Sequence, residues 1–441
     1  MPKSSSHIAG SGVALALLLT GASLAHAQEG RRVIVVGSPD FRPYPMAIPA
    51  LRAASAGEAA AAAEVITRTL RFDFRIAAQF DVVDPKSYLA DPRKEGLTAP
   101  TIRFADWVNV GAEGLLKGAV RMDDARLVAE LRFFDVASGR PLLSKTVAFT
   151  PETARRTAHA FADAVVETLT GDRGIFQTQI AVARKSKKGR ELWVMDLDGG
   201  DLRPVTRNNS LNLLPSWTAD GSGLIFTSYV RRNPSLYKVN LDGGNLSLLS
   251  GERGLNTGGA MSNDGSKVAL TLSRDGNSEI YVMNTDRTGL RRLTNEWAID
   301  SSPSWSPDGR QIAFVSSRFG DPHIFVMNAD GSSPKRITHR GNYNTTPDWS
   351  PRGDLIAFTA RDERNVFDIF TVDVRTQEIR RLTQDQGNNE EPSFSPDGNH
   401  IVFTSTREGR SQVWIMAVDG SNQHRITTKG GFMTPAWSPL R

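Results

Sequence analysis

The chain has 441 residues, 39% of them hydrophobic and 23% charged, an ordinary globular composition that excludes a disordered or fibrous chain and leaves room for two domains. A formal net charge of +5, spread without a polybasic tract, argues against nucleic acid or lipid headgroups as partners. Cysteine is absent, so the fold needs neither disulfides nor thiolate metal ligands.

In chain order, residues 1–27 combine Lys3, an apolar core over 13–19 and the small-residue site Ala25-His26-Ala27. This pattern predicts a secretory signal cleaved before Gln28. Its apolar core is too short for a permanent membrane helix, so an exported, soluble product is expected. Residues 28–170 predict an α+β N-terminal domain. Strands are expected over 32–36, 80–83, 114–121, 127–136 and 143–149, with an alanine-rich helix over 56–72. A second helix over 153–170 starts after Thr150-Pro151-Glu152, which supplies a capping residue, a proline and an acid for the first turn. Gly171-Asp172-Arg173-Gly174 then serves as a linker.

From residue 175 onward the grammar changes to a repeat. An anchor segment ends at Trp217, Met261, Trp305, Trp349, Phe394 and Trp437, at intervals close to 44 residues. Five anchors are followed by a turn dipeptide, Asp220-Gly221, Asp264-Gly265, Asp308-Gly309, Arg352-Gly353 and Asp397-Gly398, where glycine supplies a positive φ. Short β-branched and aromatic runs follow each turn. Four antiparallel strands per repeat predict an all-β six-bladed β-propeller over 175–441. The first repeat lacks an anchor strand and the last anchor strand lacks a repeat, so the C-terminal strand is expected to become the innermost strand of the first blade and close the ring.

A search for chemistry returns little. There is no G-x-S-x-G elbow, P-loop, H-E-x-x-H pair or dinucleotide fingerprint. Histidines 159, 323, 339, 400 and 424 are not at metal-ligand spacing and read as surface or packing residues. The last anchor strand lies close to Arg441, so a fused peptidase domain is not expected. The propeller does offer a mouth, on the face carrying the second hairpins and the blade-to-blade connections. Asn212, Asn256, Asp300, Asn344 and Asn389 recur there at the repeat spacing, and Glu390 and Glu391 add charge beside them. They are expected to form a pseudo-sixfold rim around the channel. The same residue types also shape turns into strands by bonding the backbone, and the two roles are compatible. Arg274, Arg318, Arg361 and Arg407 end the second strands on the same face, either for partner contact or to pair with loop acids. Three classes remain open on the residues alone: a protein-binding propeller, a sugar- or ion-binding propeller whose oxygen ring takes calcium weakly, and a mouth hydrolase or lyase.

An exported α+β domain followed by six P-x-W-S-P-D-G blades and a terminal Pro435-Ala436-Trp437-Ser438-Pro439 resembles the TolB family of the Tol-Pal cell-envelope system. The resemblance spans the mature chain. It implies a periplasmic, monomeric binding protein without catalysis or cofactor, supporting outer-membrane integrity and invagination at division. It also implies that the mouth receives the lipoprotein Pal, so that the rim residues above become Pal contacts. The segment after the cleavage site, Gln28, Glu29, Gly30, Arg31 and Arg32, becomes the TolA contact. Other Tol components and bacteriocins join the implied partners. The loop 254–260 departs from the family, with Leu255 where members can carry histidine, and Met261 replaces an aromatic anchor.

Overall fold

The computed structural model describes residues 42–440 apart from Ala90, Arg93 and Asp362. The signal expected over 1–27, the segment 28–32 and the strand expected over 32–36 lie outside the described residues. Among the described residues no helix is long and apolar enough to cross a membrane.

The N-terminal sheet runs in the order Phe80–Val82, Tyr44–Ala47, Gly114–Asp123, Arg126–Asp135, Pro141–Phe149. The strand Tyr44–Ala47, which pairs parallel with both neighbours, was not expected from the sequence. Helix α1 (Glu58–Ile76) and helix α3 (Ala154–Thr170) cover the sheet, and a short helix α2 (Phe104–Asn109) lies between them in sequence. Helix α1 is shifted from the expected 56–72. Gly57 enters it at φ 85°, and Phe74 and Ile76 extend the buried stripe of Ala59, Ala62, Ala63, Ile66 and Leu70 by another turn. Each large side chain so buried stabilises the fold by about 1.5–3 kcal/mol. Helix α3 stops where Gly171 takes a left-handed φ of 84°.

Six four-stranded sheets then form the propeller. Blades 2 to 6 begin at Asn212, Asn256, Asp300, Asn344 and Asn389, and blade 1 is built from Gln179–Ser186, Gly189–Asp196 and Arg203–Pro204 with the C-terminal strand Phe432–Trp437 innermost. The ring therefore closes as expected, with Trp437 opposite Ile180 and Met433 opposite Ala183. Phe226, Phe314, Phe358 and Phe403 are fully buried in blades 2, 4, 5 and 6. The anchors stitch neighbouring blades. The Trp217 and Trp305 indoles donate to the carbonyls of Ala436 (2.9 Å) and Ala260 (3.0 Å) on the preceding inner strand. The motif Ser/Thr-x-Asp-Gly, which follows four of the six anchors, is a side-chain-closed turn. In blade 4, for instance, Asp308 accepts the Ser306 hydroxyl at 2.6 Å and the Arg310 amide at 3.1 Å.

The domains share one core, with Phe74 6.0 Å from Phe176 and both in the cluster that holds Trp437. Asp163 of α3 accepts the amides of Phe176 (2.8 Å) and Gln177 (3.2 Å), which pins the connection. The contacts fall on blades 1 and 6, either side of the closure seam. Asn422 donates to the Arg75 carbonyl at the end of α1 (2.7 Å), and the Ala78 amide donates to His400 (3.4 Å). At the other side Arg155 and Arg156 pair with Asp198 and Asp201.

Candidate functional site: the propeller mouth and channel

Each inner strand carries a bulge, and the bulge decides which side chains see the channel. Register shifts recur at 213/216, 257/260, 301/304, 345/348, 390/393 and 433/436. At each one a residue is left-handed: Leu214, Ser302, Thr346, Glu391 and Thr434 at φ 48–59°, and Gly258 at 64°. Such a φ is disfavoured for side chains with a Cβ, and cross-blade bonds hold it in place. The amides of Ser302 and Glu391 donate to the hydroxyls of Thr271 (3.1 Å) and Thr359 (2.9 Å), and the Thr434 amide donates to the Glu391 carboxylate (2.5 Å).

This geometry corrects the expected rim. Asn212, Asn256, Asp300, Asn344 and Asn389 do begin the inner strands, yet all five are buried, and Asn212, Asn256, Asn344 and Asn389 bond groups of the preceding blade. Asn212 donates to the Arg190 carbonyl (2.8 Å) and accepts from the Ser228 hydroxyl (2.7 Å). Asn256 accepts from the Ser250 hydroxyl (2.7 Å) and the Glu252 amide (2.9 Å). Asp300 accepts from Arg318 at 2.8 Å, and Asn389 accepts from Arg407 at 2.9 Å. The turn-shaping role is the one these residues play, and their oxygens do not form a ring in the channel. Among the described residues no group of three or more His, Cys, Asp or Glu could hold a metal ion. Arg274 likewise pairs locally, with Glu252 at 2.9 Å.

Of the expected site residues, Glu391 does line the channel, and Glu390 precedes it, half-buried. The channel is a cavity of about 550 Å³ reaching from the bulges to the first-hairpin turns. Burial raises both carboxyls. Glu391, which also accepts the Thr404 hydroxyl at 3.1 Å, is pushed up to about 7. A third carboxylate, Asp348, was missed. It occupies the column of Ser216, Ala260, Ser304, Ser393 and Ala436, where the side chain stitches blades: Ser304 and Ser393 accept the amides of Trp349 (3.1 Å) and Trp437 (3.2 Å). Asp348 accepts the Phe394 amide at 2.7 Å, and burial raises it to about 7. An acid in a column of serines and alanines was the available signal.

The mouth face also carries exposed apolar side chains that the repeat reading passed over. Trp297 is 77% exposed, Phe319 68% and Ile299 56%. They sit on the connection into blade 4 and on its second hairpin, which the Ser317 amide joins to the Ile299 carbonyl at 3.1 Å. Phe319 stacks on Phe325 at 5.9 Å. A tryptophan inside a blade-to-blade loop, outside the anchor phase, was the signal.

The family model described as the TolB beta propeller domain matches residues 166–367 and 363–440, and the TolB amino-terminal domain matches residues 32–142. The chain belongs to the TolB family. The Tol-Pal system protein TolB of Anaeromyxobacter sp. (strain K) is 45% identical over 225 residues, 51% of each chain. That of Myxococcus xanthus (strain DK1622) is 44% identical over 222 residues, 50% of each. The chain thus spans about half the length of the curated relatives it matches. The crystal structure of TolB from Acinetobacter baumannii aligns with a TM-score of 0.78 over 90% of this chain and 97% of that one, at 24% identity, and so shares the fold.

Proposed function

We propose that this TolB-family chain is a periplasmic docking component of the Tol-Pal system, exported by residues 1–27. It binds Pal at the propeller mouth and TolA through residues 28–32, without catalysis or cofactor. The observation that carries this reading is the mouth of blade 4, where Trp297, Ile299 and Phe319 present apolar surface to solvent beside the channel. Exposed aromatic side chains of this kind are the usual anchors of protein interfaces. The Asn and Asp of the strand starts support the loops from below, and Glu390 adds a carboxyl beside the channel-lining Glu391.

The test is surface plasmon resonance with purified Pal. Trp297→Ala and Phe319→Ala are expected to weaken capture by about 2 kcal/mol, near 30-fold, with unchanged melting, since exposed side chains contribute little to the fold. Calcium in the running buffer is expected to leave capture unaltered. Wild-type protein that fails to capture Pal, or variants that bind it as the wild type does, overturn the assignment of this surface.

A further inference from the structure

Blade 5 contains a pocket that its neighbours do not leave open. In blades 4 and 6 an arginine of the second hairpin folds back over two aromatic rings. Arg318 lies 5.7 Å from the Phe314 ring and 5.0 Å from Phe325, and Arg407 lies 5.5 Å from Phe403 and 4.2 Å from Trp414. Each guanidinium makes the same two bonds. Nε donates to a serine, Ser316 or Ser405, at 2.8 Å. Nη2 donates to the strand-start residue, Asp300 at 2.8 Å or Asn389 at 2.9 Å.

Blade 5 keeps the aromatic pair and the strand-start residue and lacks the rest. Phe358 and Phe370 face each other at 5.8 Å, and Asn344 is in register with Ala360 as Asp300 is with Ser316 and Asn389 with Ser405. Ala360 thus replaces the serine. In the sequence Asp362 stands two residues further on, where blades 4 and 6 have Arg318 and Arg407. Arg361 is one residue too early and packs elsewhere, 4.6 Å from the Tyr343 ring and 5.2 Å from Phe367. The result is a cavity of about 440 Å³ lined by Asn344, Phe358, Ala360, Phe370 and Glu363 among others. Asn344 is 1% exposed, and its Oδ1 has no hydrogen-bond partner among the described residues. Its amide nitrogen donates to the Arg340 carbonyl at 2.9 Å, which fixes the oxygen's orientation. A buried acceptor left unpaired is costly and marks the place for a donor.

We infer that this pocket binds a guanidinium group supplied from outside the chain, an arginine side chain of a peptide or protein, in the manner that Arg318 and Arg407 are held in cis. The rings offer a cation–π platform and Asn344 the acceptor. The arginines lining the pocket do not forbid it. Of the three, Arg381 lies 5.8 Å from the Phe370 ring but is held by Asp368 at 2.5 Å, Arg361 is held by its own two rings, and the charge of Arg340 is offset by the Glu363 carboxylate that also lines the pocket. Blade 4 already accommodates Arg318 over Phe325 while Arg336 stands cross-strand from the same ring. The inference does not depend on which protein docks at the mouth.

The test is a titration of the full chain with N-acetyl-arginine amide, followed through the Asn344 side-chain amide resonances by NMR. N-acetyl-citrulline amide and N-acetyl-aspartate amide serve as the neutral and anionic comparisons. Saturable shifts with the arginine compound are expected, at least tenfold weaker responses to the other two, and loss of binding in Asp362→Arg, which supplies the guanidinium in cis. Phe370→Leu, which keeps the volume apolar but removes one ring, is expected to weaken binding severalfold. Unmoved Asn344 resonances, or a response to the aspartate compound equal to that of the arginine compound, overturn the inference. Undiminished arginine binding in either folded variant does so as well.

Discussion

Replacing Trp437 by alanine tests ring closure at its tightest point. The side chain is 6% exposed, lies 6.3 Å from the His400 ring and donates from its indole to the Thr178 hydroxyl at 2.8 Å, while its amide donates to Ser393 at 3.2 Å. Truncating a buried tryptophan costs about 3–5 kcal/mol. The lost indole bond adds about 1 kcal/mol, and no more, because Thr178 keeps its bond to the Ile175 carbonyl at 2.5 Å. The backbone bonds of the strand survive the substitution, so the expected total is about 4–6 kcal/mol, comparable with the whole stability of many domains. Urea unfolding followed by far-UV circular dichroism measures it. Hydrogen exchange at Gln179–Ser186 should rise selectively, since that strand pairs with the closing one. A loss below about 1 kcal/mol with unchanged m value would refute the view that the closing strand carries the ring.

Asn256→Ala should lower stability by about 2–3 kcal/mol in urea melts, because the Ser250 hydroxyl and Glu252 amide lose a buried acceptor; melting like the wild type would contradict its turn role. At the domain junction His159 lies against Asp73 (2.9 Å) and 3.7 Å from Asp198. Burial opposes its charge, but the two carboxylates prevail and raise it to about 10, while the imidazolium and Arg155 hold Asp198 well below the usual carboxylate range. A raised histidine stabilises fully below about pH 6.5, and the contribution fades as pH climbs through 10; the depressed Asp198 contributes above about pH 4 and is lost in acid. Burial draws Asp73 upward, to about 7, so its part of the decline ends near neutrality. Stability should therefore fall between pH 8 and 10 in the wild type more steeply than in His159→Gln, and equal slopes would count against the charged pair. Deleting residues 28–32 from the mature protein should abolish TolA capture in a pull-down while Pal capture persists, and retained TolA binding would move that contact elsewhere.

Architecture was legible because it rests on spacing. Asp-Gly turns and aromatic anchors near every 44 residues leave few alternatives to a ring, and a first repeat one strand short with a lone strand after the last repeat predicts its closure. Side-chain direction was not legible at the mouth. Strand alternation places residues two apart on one face, but the left-handed residues at Leu214, Ser302, Thr346, Glu391 and Thr434 break that parity. Counting from Trp305 back to Asp300 therefore gives the wrong face. Tyr44–Ala47 escaped because a four-residue strand containing Pro45 has no alternation to read. The charge cluster around His159 joins residues far apart in the chain, and no local pattern announces it.

The seam between Gln179–Ser186 and Phe432–Trp437 also sets an order of events. The Gln179 amide is bonded to Ser438 across 259 positions of sequence. A chain made from its N-terminus must keep Ile180, Ala181, Val182 and Ala183 waiting until Phe432–Trp437 arrives. Distant pairing of this kind slows folding, and an unpaired edge invites association meanwhile. Contacts of α1 and α3 with blades 6 and 1 place the early-made domain over both sides of the gap. The N-terminal domain thus stands as a built-in escort for an edge that cannot be paired until Phe432–Trp437 has been made.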